Sequence, residues 1–166
     1  QIAKIKGCRV VGIAGSDDKC RFLTRELGFD AAINYKTESV SNALKSAAPG
    51  GIDVYFDNVG GATLKACAAA MNRCGRIVIC GAISGYDTAS DVGISPPIVR
   101  NCSVTFFLVL DFLDQYAPGV AALQGWVKER SIKVYEDVIV GLENTPDALV
   151  GLLAGKNLGK RMVKVS

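Results

Sequence analysis

Histidine does not occur in this sequence. Its absence removes the usual partner of a catalytic cysteine and the usual nitrogen ligand of a zinc site, so no metal site is expected. The six cysteines (Cys8, Cys20, Cys67, Cys74, Cys80 and Cys102) contain no C-x-x-C pair. Most sit inside apolar stretches, the pattern of buried free thiols in a reducing compartment rather than of disulfides. The longest mostly apolar run, Val104 to Leu110, falls far short of the ~20 residues of a membrane span, and no signal-peptide pattern opens the chain. A cytoplasmic location with no membrane contact is expected. Excess charge is lacking as well: the net charge is +3, with the basic residues scattered among acids, which argues against a nucleic-acid partner. Low-complexity tracts and internal repeats are absent.

What is present is globular composition, 49% hydrophobic and 21% charged over 166 residues, enough for one domain with an ordinary core. Short β-branched runs alternate with segments of helical period. Strands are predicted at Arg9 to Ala14, Ala31 to Asn34, Asp53 to Asp57, Arg76 to Gly81 and Ser103 to Val109. Helices are predicted at Asp17 to Leu27, stopped by Gly28, and at Ser39 to Ala48, Ala62 to Asn72 and Gln115 to Arg130. Most of the strand runs are continuously apolar, as parallel strands covered on both faces must be. The expected fold is α/β, a Rossmann-like doubly wound parallel sheet. Beyond Ser131 the pattern changes to a strand at Tyr135 to Val140, a helix from a capping Thr145 to Ala154, and a strand at Arg161 to Val165. This tail either finishes the same sheet or belongs to a partner domain.

In such folds ligands lie at the carboxyl ends of the strands. After the first strand come Gly15 and Ser16 and a helix whose first turn holds Asp17, Asp18 and Lys19. Lys19 over exposed helix N–H groups suits a phosphate dianion, as a site for NADP requires. The same residues equally suit a helix whose acids favour its own dipole and whose lysine is merely solvated. Tyr35, after the next strand, either stacks on an adenine or packs locally. "DVYFDNVGG" ends a strand in Asp57-Asn58 and opens onto Gly60-Gly61, where backbone can approach a ligand closely. "RIVICGAISGY" repeats the device with Gly81, Ala82, Ser84 and Gly85, and Tyr86 is a phenol placed to donate a proton, or else an ordinary loop tyrosine.

Taken together, "GSDDKCRFLTRELGFDAAINYK", "IDVYFDNVGG", "GRIVICGAISGY" and "GKNLGKRMVKV" resemble the zinc-independent medium-chain dehydrogenases/reductases. The nearest branch is the leukotriene B4 12-hydroxydehydrogenase or prostaglandin reductase family with its bacterial NADP-dependent relatives. The resemblance covers essentially the whole chain. It implies NADPH-dependent reduction of the carbon-carbon double bond of α,β-unsaturated ketones and aldehydes, a small-molecule enone substrate, and a homo-oligomer. By the same resemblance Lys19 and Tyr35 match contacts to the 2′-phosphate end of the cofactor, and Asn58 matches a contact after the fourth Rossmann strand. Cys80, Gly81, Ala82, Ile83, Ser84, Gly85 and Tyr86 match the nicotinamide-side loop. Phe107, Leu108 and Val109 match a strand end facing the nicotinamide, and Asn157 matches a late contact. Tyr86 matches a tyrosine near the substrate oxygen. A quinone reductase of the same superfamily and a non-catalytic α/β assembly module are the alternatives.

Family members carry a catalytic lobe, a first Rossmann strand and a Gly-rich loop ahead of the helix that Gln1 to Lys6 would end. The expectation is therefore a cofactor domain over residues 1–134 that lacks its first strand and Gly-rich loop, and a segment 135–166 that returns to the catalytic lobe. The strands flanking the missing one should carry unpaired backbone.

Overall fold

The computed structural model describes residues 1–81 and 101–165. A short helix α1 (Ile2–Ile5) leads into β1 (Val11–Ala14), α2 (Asp17–Arg25), β2 (Ala31–Asn34), α3 (Val40–Ala47), β3 (Ile52–Asp57), α4 (Gly61–Ala69) and β4 (Met71–Ile79). Then follow β5 (Ser103–Phe106), a 3-10 segment over Val109–Gln115, α5 (Tyr116–Lys128), β6 (Glu136–Val140), α6 (Thr145–Leu153) and β7 (Lys160–Lys164). All four strand pairings among the described residues are parallel, as the apolar strands and intervening helices require.

The ladder runs β1-β2 in one sheet and β3-β4-β5 in a second. Among the described residues no strand stands between β1 and β3, so the doubly wound sheet is divided there. The two halves are nevertheless joined by a shared core. Ile33, Leu44 and Cys67 are buried against Val11 and Ile13 of β1 and against Ile52 and Tyr55 of β3. A second cluster, Leu64, Ala68, Met71, Ile77 and Ile79, packs α4 onto β4, with Val104 of β5 against it. Leu64 and Ala68, four residues apart on α4, and the unbroken Ile77-Val78-Ile79 run supply these contacts.

Several boundaries differ from the sequence-based expectation. Helix α4 stops at Ala69 rather than Asn72, because Ile52 N–H takes the Ala70 carbonyl (3.0 Å) and Asn72 Nδ2 donates to Asp53 (2.8 Å), drawing Met71 and Asn72 into the sheet. Strand β4 therefore starts earlier than Arg76, passing Cys74 at φ 63°, and it ends at Ile79 rather than Gly81. Strand β5 ends at Phe106, since the Leu108 N–H is taken by the Asp111 carboxylate (2.9 Å) and the chain turns. Thr145 does not cap α6: its hydroxyl donates back to the Leu142 carbonyl (2.7 Å). None of the six cysteines forms a disulfide, but only Cys67 is buried, while Cys8, Cys74 and Cys80 are exposed.

The tail does not extend either sheet. Its strands β6 and β7 pair with each other through α6 and dock on α2. Phe22 meets Tyr135 edge to face with ring centroids 4.6 Å apart, and the Glu26 carboxylate accepts from Tyr135 Oη (3.3 Å) and Lys133 Nζ (3.4 Å). Beside this contact, Gln1 exchanges two hydrogen bonds with the Lys133 backbone (3.0 and 2.8 Å). Within the unit, Arg161 binds Asp137 (2.7 Å), and the guanidinium hydrogen bond holds that carboxyl below its usual range. The pair contributes fully above the ordinary aspartate value of about 4, and the contribution fades as pH falls through the lower folded value. Asp137→Asn is expected to flatten the acid limb of stability against pH, read by thermal melts between neutral and acid pH.

Candidate functional site

At the ends of β1 and β2, Ser16 caps α2 by accepting from the Lys19 N–H (3.3 Å). Both first-turn acids have partners: Asp17 accepts from Asn34 Nδ2 (2.6 Å), and Asp18 pairs with Arg21. Asn34 is itself 6% exposed and accepts from Lys36 N–H (3.1 Å), so it ties the end of β2 to the start of α2. Among the described residues Lys19 meets no carboxylate. Its ammonium donates instead, in an exposed bond, to the Gly155 carbonyl at 2.7 Å. Tyr35 is exposed, and its ring lies over Gly15 so closely that a Cβ there would come within 2.9 Å of the phenolic oxygen. Glycine at position 15 is what lets Tyr35 lie beside the capped helix end.

At the ends of β3, β4 and β5 the organiser is Asp57, 1% exposed. Its carboxylate accepts from the Val59 N–H (2.8 Å) and the Gly60 N–H (3.0 Å), closing the turn that leads into α4. Burial, with Cys67 and Asp57 alongside, pushes the Tyr55 phenol well above its usual range, and burial pushes the Cys67 thiol up to about 12. Both groups stay protonated at neutral pH and serve packing rather than acid-base work. The Asp57 carbonyl accepts from Cys80 N–H (2.8 Å), and a Cβ on Gly81 would lie 3.3 Å from the Asn58 carbonyl. Phe107 N–H bonds to the Ile79 carbonyl (3.3 Å), beside Cys80.

The predicted site residues thus fall into two groups. Asn58, Cys80, Gly81 and Phe107 share the ends of β3, β4 and β5. Lys19 and Tyr35 flank the end of β1, and the Lys19–Gly155 bond brings them the turn that carries half-buried Asn157, whose Nδ2 donates to Gly159 (2.9 Å). Leu108 and Val109 are not joined to either group. They lie past the end of β5 with 63% and 65% of their surface exposed. Ala82, Ile83, Ser84, Gly85 and Tyr86 lie outside the described residues.

Sequence reasoning passed over Asp57, Asn34 and Gly155. The first two are polar residues closing apolar strands, a signal that does stand in the sequence. The third acts through its backbone carbonyl, which leaves no mark in residue type. One shallow hollow, between Leu44, Pro49 and Met71, lies at the amino ends of β3 and β4, away from all of these residues.

Parallel βαβ units, a capped helix start beside a lysine and a tyrosine, and glycines at two strand ends where a side chain would intrude define a Rossmann-like α/β protein. The family model described as zinc-binding dehydrogenase matches residues 1–124, and the chain belongs to that family. It is 46% identical over 173 residues to "Putative NADP-dependent oxidoreductase YfmJ" of Bacillus subtilis, covering 100% of this chain and 51% of that protein. It is 47% identical over 170 residues to prostaglandin reductase 1 of Bos taurus, covering 99% and 51%. The crystal structure of CurA from Vibrio vulnificus in complex with NADPH superposes with a TM-score of 0.91 at 36% identity, over 99% of this chain and 52% of that one. The chain spans about half the length of the curated relatives it matches.

The donor set does not fit the zinc in the family's description. Histidine is missing from the sequence, and among the described residues no three His, Cys, Asp or Glu side chains gather to hold a metal. A dinucleotide does fit the chemistry present: the missing side chain at Gly15 lets Tyr35 lie at the end of β1, and Lys19 offers positive charge at a helix start. No helix among the described residues is long and apolar enough to cross a membrane.

Proposed function

We propose that this chain is the cofactor-binding portion of an NADPH-dependent oxidoreductase that reduces the carbon-carbon double bond of α,β-unsaturated ketones and aldehydes without a metal. The observation that carries the reading is Lys19, held at the Ser16-capped start of α2 with its charge unneutralised by any carboxylate among the described residues. An NAD-selective site places an acid at this strand end to bind both ribose hydroxyls; here the neighbouring acids are turned to Asn34 and Arg21. The NADP-dependent and prostaglandin reductase names of the relatives, and the NADPH in the CurA structure, point the same way.

NADPH supplies a hydride when bound. In this reading Lys19 and Tyr35 hold its 2′-phosphate end, and Asn58 and the Cys80 to Tyr86 stretch position the nicotinamide end, with Phe107, Leu108 and Val109 facing it and Asn157 contributing from the tail. A hydride at the β-carbon of the substrate builds negative charge on the carbonyl oxygen. Tyr86 donates a hydrogen bond to that oxygen as the charge grows, and a proton at the α-carbon completes the reduction. Residues 1–134 serve as the cofactor domain and 135–166 return to a catalytic lobe, in a cytoplasmic homo-oligomer.

The test is oxidation of NADPH by the full-length protein, followed by absorbance, with a simple alkenone, an alkenal and a quinone offered in turn. Turnover of the alkenone and alkenal well above that of the quinone is the expected result. Preference for the quinone overturns the substrate assignment.

A further inference from the structure

We propose that the Gly155 turn is a positioning element for Lys19 and so helps set selectivity for NADPH over NADH; the proposal rests on the functional reading above. The bond concerned joins residues 136 positions apart, from the first turn of α2 to the end of α6. A lysine stem is long and flexible, and an ammonium left to itself samples many rotamers at the cost of any ligand it must later hold. The Gly155 carbonyl removes that freedom at 2.7 Å. It also does so without an ion pair. A neutral acceptor takes one of the three N–H donors and leaves two, with the full positive charge, for a phosphate. A carboxylate in the same place would position the lysine and cancel the charge an anion needs.

The carbonyl is itself fixed in direction. Gly155 adopts φ +68°, its N–H bonds to the Leu152 carbonyl (2.9 Å), and the next N–H, of Lys156, bonds to Gly151 (2.8 Å). The unit carrying this turn is anchored on the same helix as Lys19. Phe22 and Glu26 follow Lys19 at helical spacing, and both meet Tyr135. One face of α2 therefore holds the cation, and the contacts that hold its acceptor in place.

The experiment measures kcat/KM for NADPH and NADH in the full-length protein, with the ratio as readout, for wild type, Lys19→Met, Gly155→Asn, Gly155→Val and the Lys19→Met/Gly155→Val pair. Asparagine tolerates a left-handed φ and keeps the carbonyl where it is; a β-branched residue does not. Gly155→Val is expected to lower the ratio at least about 5-fold, mainly through KM for NADPH, as loss of a charge-assisted positioning bond should. Gly155→Asn should keep the wild-type ratio, and Gly155→Val should change nothing further once Lys19 is methionine. Tyr135→Ala, which loosens the docking and alters neither residue, should show the same dependence on Lys19 and stands in if Gly155→Val does not fold. A ratio lost in Lys19→Met but retained in both Gly155→Val and Tyr135→Ala overturns this inference alone. Equal losses in the presence and absence of Lys19 also overturn it. A ratio unchanged by Lys19→Met overturns the NADPH reading, and this inference with it.

Discussion

Lys19→Ala is expected to lower kcat/KM for NADPH roughly 30-fold while leaving NADH nearly untouched, the kinetic equivalent of about 2 kcal/mol for a hydrogen bond to a charged group. The asymmetry follows from where the ammonium sits. It is at the capped start of α2, beside Tyr35, with Asp17 and Asp18 already engaged by Asn34 and Arg21. A 2′-phosphate placed there meets the lysine and the helix dipole together. A ribose hydroxyl meets a cation it does not need. Steady-state kinetics with both cofactors reads the effect, and an equal loss for both would mean that Lys19 acts through stability rather than recognition.

Asp57→Ala carries the largest expected cost in stability, about 3 kcal/mol, because it removes the buried acceptor of the Gly60 N–H, at roughly 1–3 kcal/mol for a buried group left unsatisfied, and a second hydrogen bond from Val59. The Gly60 N–H is enclosed, and the Val59 N–H is partly so. Their shared acceptor is a side chain 1% exposed. Asp57→Asn keeps an acceptor oxygen in place and should cost clearly less. Urea unfolding separates the two: the midpoint should drop far more for alanine than for asparagine, with the slope unchanged. The same change should displace Asn58, which sits on the turn that Asp57 closes.

The topology was readable because most strands of the first half are built on short apolar runs followed by glycine or small polar residues, as at Gly15-Ser16 and Gly60-Gly61. Strand β2 and the starts of α2 and β5 fall where the sequence puts them. The errors arise where a tertiary bond outweighs local preference. Met71 and Asn72 continue the alanine-rich period of α4, yet the pairing with Ile52 and Asp53 takes them into the sheet. Phe107 to Val109 continue the apolar run of β5, yet Asp111 captures Leu108.

The candidate site was legible in part for the same reason. Lys19, Tyr35 and Asn58 stand at strand ends, where residue type and position coincide. The buried acceptor Asp57 was visible as a residue and not as a role, since nothing in the sequence says that two N–H groups converge on it. The Gly155 carbonyl was out of reach altogether, because a backbone oxygen 136 positions away has no signature in residue type.

The central claim is that the constellation at the end of β1 recognises a phosphorylated ribose. Calorimetric titration of the full-length protein with NADP+ and with NAD+ tests it most directly. NADP+ binding at least about 10-fold tighter, an advantage of about 1.4 kcal/mol that disappears in Lys19→Ala, is the result this account predicts. Equal affinities for the two dinucleotides in the wild-type protein would contradict it.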